Sequence, residues 1–311
     1  MTLSWEPERR VHVRAPGKVN VFFEVGDVHA DGYHDVASVY QALSLCEDLW
    51  AMTADDFTIA VTGDVDVSGV PLDDRNLAVR AARLVARRIG WDAGIALRVH
   101  KGVPVAGGMG GGSADAAAAL VAVNELLDGG LSTAELHVLA AQLGADVPFA
   151  LRGGTAVGTG RGDELAPALA RGRFDWVLVT QAEGLSTPEA YAGLDEMRAR
   201  ADIAPRRGAP NVDPAVLQAL RAGDATALAT VVRNDLQDVA VERRPELGAL
   251  IDQGVGLGAL AGIVSGSGPT VAFLTSGEQD ATALADALRS RGHAASAAHG
   301  PVAGARVVAV D

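Results

Sequence analysis

Apolar positions recur at helical spacing over 76–89, where Leu77, Val79, Ala81, Leu84, Val85 and Ile89 share one face, arginines take the other, and Gly90 supplies the stop. The Ala-rich stretch 113–127 predicts a second helix, closed by Gly129-Gly130. A third, over 132–143, opens on Ser132 with Glu135 three residues on, a capping box. Extended runs are predicted at 11–14 and 19–25, with Pro16-Gly17 as punctuation, and an alternating strand at 95–100. The apolar run 36–45 follows the polar loop 29–34, and 153–162 is a Gly/Thr-rich strand and turn. After the basic loop 168–173 come a strand at 176–180 and a Pro/Arg/Gly-rich stretch at 203–212. Helices at 214–222, 225–232 and 245–253, a glycine turn and strand over 262–274, a helix at 279–291 and a closing strand at 305–310 complete the pattern. Such alternation predicts an α+β chain of two α/β lobes, 1–170 and 171–311.

With 49% hydrophobic and 21% charged residues over 311 positions, the chain has the makings of a packed core. Its net charge of −13 repels phosphate backbones and anionic lipid, so nucleic acid and membrane are not expected partners. Any phosphate-bearing ligand is small and held locally. One cysteine, Cys46, makes no internal disulfide, residues 1–10 lack the apolar stretch of a secretory signal, and the longest apolar runs fall short of a membrane span. A cytoplasmic protein acting as a monomer or weak homodimer on a small-molecule substrate is the expectation.

Two lysines stand among 26 basic residues, Lys18 and Lys101. GC-rich coding explains the excess of arginine. A lysine that persists marks a place where a compact point charge does what a planar fork cannot, or has survived by chance.

The strongest chemical signal follows Lys101. Five glycines fall within 107–112, directly before the helix at Ser113. Backbone without side chains lets N–H groups converge on an anion, and the helix start adds its unpaired donors. A Walker A loop would end in Gly-Lys-Ser/Thr, which is missing here. A Gly-x-Gly-x-x-Ala run at 256–261 follows a helix and precedes a strand, the reverse of a dinucleotide fingerprint. The cradle is of neither common kind, and Lys101 stands within reach of its ligand. Lys18 and Asn20, two apart on a strand, point from one face, which suits a polar site better than a buried sheet. Asp146, in the apolar turn 143–150, reads as a helix cap or a catalytic group, and the residues alone lean to the cap. Gly266-Ser267-Gly268 reads equally as a hairpin connection or part of a site. The sequence holds no Gly-x-Ser-x-Gly elbow and no His-x-x-x-His pair, leaving phosphoryl chemistry as the best-supported class.

Together, Pro16-Gly17-Lys18, the Pro104-x-x-Gly107-Gly-x-Gly-Gly-Gly-Ser113 loop and the late Gly-Ser-Gly resemble the GHMP kinases (galactose, homoserine, mevalonate and phosphomevalonate kinases). Asp31-Gly-Tyr33-His34 and Leu143-Gly-Ala-Asp146-Val-Pro-Phe149 resemble members of that family acting on a cytidine-diphospho-methylerythritol, and the likeness spans nearly the whole chain. It implies two lobes with ligands between them, and transfer of the γ-phosphoryl of ATP to the acceptor's 2-hydroxyl. Asp146 would then be the base and Lys18 would neutralise charge on the reacting oxygens. Pro104, Val105, Ala106, Gly107, Gly108, Met109, Gly110, Gly111, Gly112, Ser113 and Ala114 would wrap the ATP phosphates, with Lys101 and Asn76 near the nucleotide. Asn20 would orient the acceptor, Tyr33 and Tyr191 would sandwich the cytosine, His34 would bond its polar edge, and Thr187 would touch the acceptor from the C-terminal side. Two departures stand out: Gly111 and Gly112 occupy places where many relatives carry Ser-Ser, and Asp115 stands where Asn is frequent. Magnesium is expected with ATP, but no protein ligand for it is assigned. The alternatives are a non-catalytic nucleotide sensor on the same scaffold and a GHMP kinase for another small alcohol. The Lys18/Asp146 pair speaks against the first, residues 31–34 against the second.

Overall fold

The computed structural model describes residues 9–105, 107–181, 184–203 and 208–311. The first half runs β1 (Arg10–Val28), β2 (His34–Ala54), β3 (Thr58–Gly63), α1 (Leu77–Ile89), β4 (Gly94–Lys101), α2 (Gly111–Leu126), α3 (Thr133–Ala141), α4 (Val147–Arg152), β5 (Thr155–Thr159) and β6 (Glu164–Pro167). The second runs β7 (Phe174–Thr180), α5 (Thr187–Arg200), α6 (Pro214–Ala222), α7 (Ala225–Ala229), β8 (Arg233–Asn234), α8 (Gln237–Arg243), α9 (Pro245–Gly256), β9 (Ala261–Val264), β10 (Val271–Thr275), α10 (Glu278–Arg289), β11 (Ala294–Gly300) and β12 (Arg306–Val310). Among the described residues no helix is long and apolar enough to cross a membrane.

Two sheets organise these elements. The larger has the order β12-β1-β2-β4-β3, with β5 and β6 continuing from β2 and β8 lying parallel to β1. The smaller is antiparallel, β11-β7-β10-β9. Sheet pairing crosses the sequence midpoint, since both β8 and β12 return to β1.

Local chemistry accounts for the boundaries. Asn76 caps α1 by accepting the Ala78 N–H, and Ser132 and Glu135 complete the predicted box on α3. The two extended runs expected around Pro16-Gly17 are instead one strand. The ladder to β2 skips between Pro16 and Lys18, a bulge where proline's missing N–H leaves no partner stranded. Pro148 stands inside a helix. It lies in the first turn of α4, where an N–H would be unpaired anyway. Helix α2 begins at Gly111, two residues before the predicted start. It is apolar on nearly all sides, with alanines at 114 and 116–119 buried, so it packs close against β1 and β2.

The two sheets share a core. Val19, Val21 and Leu43 of the first cluster with Phe174, Trp176 and Leu178 of the second. Trp176, fully buried, donates its indole N–H to Gln41 Oε1 at 2.9 Å, tying β7 to β2. Trp176→Ala is expected to cost ~3–5 kcal/mol in denaturant unfolding through cavity formation. Trp176→Phe, which leaves the Gln41 acceptor unpaired, should cost about 1–3 kcal/mol.

Candidate active site

Lys18 lies just past the bulge of β1, its side chain 9% exposed. Its backbone N–H donates to Met109 O at 2.9 Å, which sets the glycine loop against the strand. Its Nζ donates to Asn20 Oδ1 at 2.6 Å. Asn20 Nδ2 in turn donates to Ser38 Oγ at 2.8 Å, and Ser38 donates to Phe22 O at 3.1 Å, so Asn20 presents its oxygen to the ammonium in a fixed orientation. The Tyr40 ring lies 5.7 Å from Nζ. Asp146 Oδ2 stands 3.7 Å from the same nitrogen, delivered from the entrance of α4. Asp146 occupies the N-cap position yet makes no capping hydrogen bond, so the cap reading of this residue is corrected: its carboxylate faces Lys18 instead.

The loop of residues 107–112 crosses above this pair. Gly110 has φ +72°, and a Cβ there would stand 3.3 Å from Lys18 Cγ; Gly108, at φ +74°, would meet Ser265 O at 2.5 Å. Both are confined to glycine by backbone conformation and close approach. The start of α2 carries no side-chain cap, so the N–H groups of its first turn face the loop's hollow. Ala106 lies outside the described residues.

Two cavities meet here. One, of about 320 Å³, is lined by Asn76, Lys101, Pro104, Val105, Asp115 and the residues 107–113. The other, about 340 Å³, is lined by Lys18, Asn20, Tyr40, Asp146, Arg161, Thr187, Tyr191 and Ser267 among others. Gly108, Gly110 and Ser113 belong to both walls. Ala114, next on α2, is fully buried behind them. The β9–β10 connection closes the second cavity, so the Gly-Ser-Gly segment is a hairpin loop and part of the site at once. Ser267 Oγ lies 2.9 Å from Thr187 Oγ1, and Asn234 Nδ2 donates to Val264 O and Gly266 O at 2.7 Å each, pinning that loop.

Sequence-predicted residues divide in two. Lys18, Asn20, Asp146, Thr187 and Tyr191 converge on one cavity; Asn76, Lys101 and the loop residues converge on the other. Tyr33 stands outside both, 56% exposed, with the Arg161 guanidinium 3.9 Å from its ring centre. His34 is buried, its Nε2 3.0 Å from Asp195 and its ring 5.0 Å from that of Tyr191. Burial and the Asp146 carboxylate push the Tyr191 phenol up to about 12 and the Tyr40 phenol well above its usual range, so both are neutral hydroxyls at physiological pH. Asp115, whose orientation the sequence leaves open, is buried and bonded to Lys101 at 2.6 Å. Ser38, Tyr40, Arg161 and Asn234 were missed, because nothing in their local sequence distinguishes them from ordinary strand and turn residues.

Magnesium finds no protein cage: among the described residues no cluster of three or more His, Cys, Asp or Glu could hold a metal ion. The carboxylates of Asp146 and Asp115 line the two cavities, one in each.

Comparison with known proteins gives the family. Residues 76–154 match the GHMP kinases N terminal domain and 216–294 the GHMP kinases C terminal domain. The chain therefore belongs to the GHMP kinases, phosphotransferases with an alcohol group as acceptor. A 4-diphosphocytidyl-2-C-methyl-D-erythritol kinase of Leifsonia xyli subsp. xyli is 56% identical over 301 residues, covering 96% of this chain and 98% of the relative. That of Clavibacter michiganensis subsp. michiganensis is 54% identical over 300 residues, covering 96% of each. The solved structure of a 4-(cytidine 5'-diphospho)-2C-methyl-D-erythritol kinase superposes with a TM-score of 0.74 at 30% identity, covering 93% of this chain and 98% of that one. Within the GHMP kinases the chain belongs with the 4-diphosphocytidyl-2-C-methyl-D-erythritol kinases.

Lys18→Arg tests the point-charge argument. A guanidinium spreads its charge over a planar fork and does not reproduce the compact ammonium held at 2.6 Å by Asn20 Oδ1 and 3.7 Å from Asp146, so turnover should fall by ~10²-fold or more while the urea midpoint stays near wild type. Near-normal turnover would make the two cations interchangeable here.

Proposed function

We propose that the chain transfers the γ-phosphoryl group of ATP to the 2-hydroxyl of 4-diphosphocytidyl-2-C-methyl-D-erythritol, a step in making isoprenoid precursors by the non-mevalonate route. One observation carries this reading. The Lys18 ammonium and the Asp146 carboxylate stand 3.7 Å apart beside the wall common to a glycine-lined cavity and a polar one. The glycine-lined cavity takes ATP, with residues 104–114 around its phosphates and Asn76 toward the nucleoside. The polar cavity takes the acceptor.

Asp146 accepts the proton of the attacking hydroxyl as the new O–P bond forms and the bond from the γ-phosphorus to the bridging oxygen breaks, releasing ADP. Lys18 faces the same reacting oxygens and offsets the charge that gathers there, aided by the N–H groups at the start of α2. Magnesium, arriving on ATP, neutralises phosphate charge when bound. Asn20 and Thr187 orient the acceptor. Tyr191 supports its base from one side, Tyr33 moves in from the rim on the other, and His34, held by Asp195, reads the base edge through the atoms its Asp195 contact leaves open. The lobes assigned to this division of labour are 1–170 and 171–311. A net charge of −13 and the free thiol of Cys46 favour a small-molecule enzyme of a reducing, cytoplasmic compartment, working as a monomer or weak homodimer.

With magnesium and ATP, ADP should form when the cytidine-diphosphate alcohol is supplied and not when it is withheld. Turnover of a different small alcohol, with this one inert, would move the chain to another GHMP activity. Asp146→Asn should lower kcat by roughly 10²–10⁴-fold with little change in ATP affinity. An unchanged rate would remove Asp146 from the proton transfer.

A further inference from the structure

Lys101 is not free to meet a ligand as Lys18 is. Its Nζ lies 2.6 Å from Asp115 Oδ2 on α2 and 2.5 Å from Glu47 Oε1 on β2, and the three side chains are 2%, 6% and 0% exposed. Glu47 Oε2 accepts the Gly102 N–H at 3.0 Å. Asp115 Oδ1 is buried without a partner. The group lies directly under the glycine loop: a Cβ on Gly111 would stand 2.8 Å from Glu47 Oε1 and 3.3 Å from Lys101 Nζ. Lys101 and Asp115 also line the glycine-lined cavity.

Two carboxylates and one ammonium, all ionised, would leave a net negative charge out of water beneath a site that takes a polyphosphate. Among the described residues the ion pairs of Glu47 and Asp115 are with Lys101 alone; Arg75, which lines the same cavity, pairs with Asp73, and Arg306 on β12 acts with Arg14 on Cys46 next to Glu47. On β1, Ala15 is opposite Glu47; on β3, Gly63 is opposite Lys101. Along β2, Asp48 pairs with His12 and Arg14, and burial pushes the Cys46 thiol up to about 11, keeping it neutral. On β4, His100 turns to Asp64. On α2, the neighbours of Asp115 over 111–119 are uncharged.

We propose that Glu47 and Asp115 share one proton over Lys101, so that the floor of the nucleotide cavity is neutral, and that all three are positioning residues for the loop and the start of α2 rather than ligands of the phosphates. This rests on the kinase reading above. The direction of titration fits it. Burial, with the neighbouring Asp115, pushes Glu47 up to about 8, and burial raises Asp115 as well; for Lys101 burial acts downward, but the two carboxylates carry it above its usual value. As pH rises through about 8 the shared proton leaves and the floor becomes an anion facing the phosphates. ATP affinity therefore falls with rising pH, and ATP binding in that range takes up a proton. Asn at 115 would leave a neutral Glu47–Lys101 pair that needs no proton.

Two measurements on the full chain test this. In infrared difference spectra of ligand-free protein titrated from pH 6 to 10, a protonated-carboxyl stretch should disappear near pH 8, and it should be missing at pH 7 in both Asp115→Asn and Glu47→Gln. Equilibrium binding of ATP with magnesium should weaken by up to ~tenfold per pH unit above 8 in the wild type, and by less than about twofold in Asp115→Asn. A band that persists in both variants, or a pH slope that survives in Asp115→Asn, overturns the shared proton. A merely structural role would lower the melting temperature of the variants without flattening that slope. Failure to bind ATP at any pH would overturn the kinase reading, while the infrared band would still decide the proton. Should Asp115→Asn not fold, Glu47→Gln carries the same comparison.

Discussion

Lys18 sits on a central strand with most of its water stripped away, and a desolvated ammonium must be answered by nearby oxygen or it costs several kcal/mol. The answer here is incomplete by construction. Asn20 takes one donor at 2.6 Å, and Asp146 stays at 3.7 Å, longer than a hydrogen bond. What remains of the ammonium's capacity points into a cavity. The other parts follow from that shortfall: the bulge at Pro16 aims the side chain, the Ser38 contact fixes Asn20, and the first turn of α4 holds Asp146 back without spending its oxygens on a cap.

The two lysines are used in opposite ways. Lys18 is under-neutralised and therefore available. Lys101 faces two carboxylates at hydrogen-bonding distance, so its charge is already answered within the protein. Helix α2 connects them, since its start crosses above one and its side chain at 115 reaches the other. Alanines along its length bring it close enough to β1 and β2 for both contacts to exist.

Periodicity made much of the fold legible. The helices α1, α3, α6 and α10 lie within about two residues of where the sequence pattern puts them, because apolar spacing, helped at α3 by its capping box, acts within a few residues. Pro16-Gly17 misled, because a strand tolerates proline where no N–H is needed, and a bulge needs none. At the site, Lys18, Asn20 and the glycine loop declared themselves by residue type. Glu47 and Asn234 did not: each acts across the fold, Glu47 on a lysine 54 positions later and Asn234 on carbonyls about 30 residues ahead, and a local window cannot hold such partners. The role of Asp115 turns on the same long reach.

The strand at the edge of the larger sheet has a consequence for biogenesis. β12 pairs with the beginning of β1, and Arg10 and Asp311 exchange backbone hydrogen bonds at 2.9 and 3.0 Å. A nascent chain therefore holds β1, with Lys18 on it, beside an open edge until residues 306–310 have left the ribosome. Until those residues emerge that edge is exposed to pairing with any other extended segment, so this sheet is completed late in its own folding rather than early.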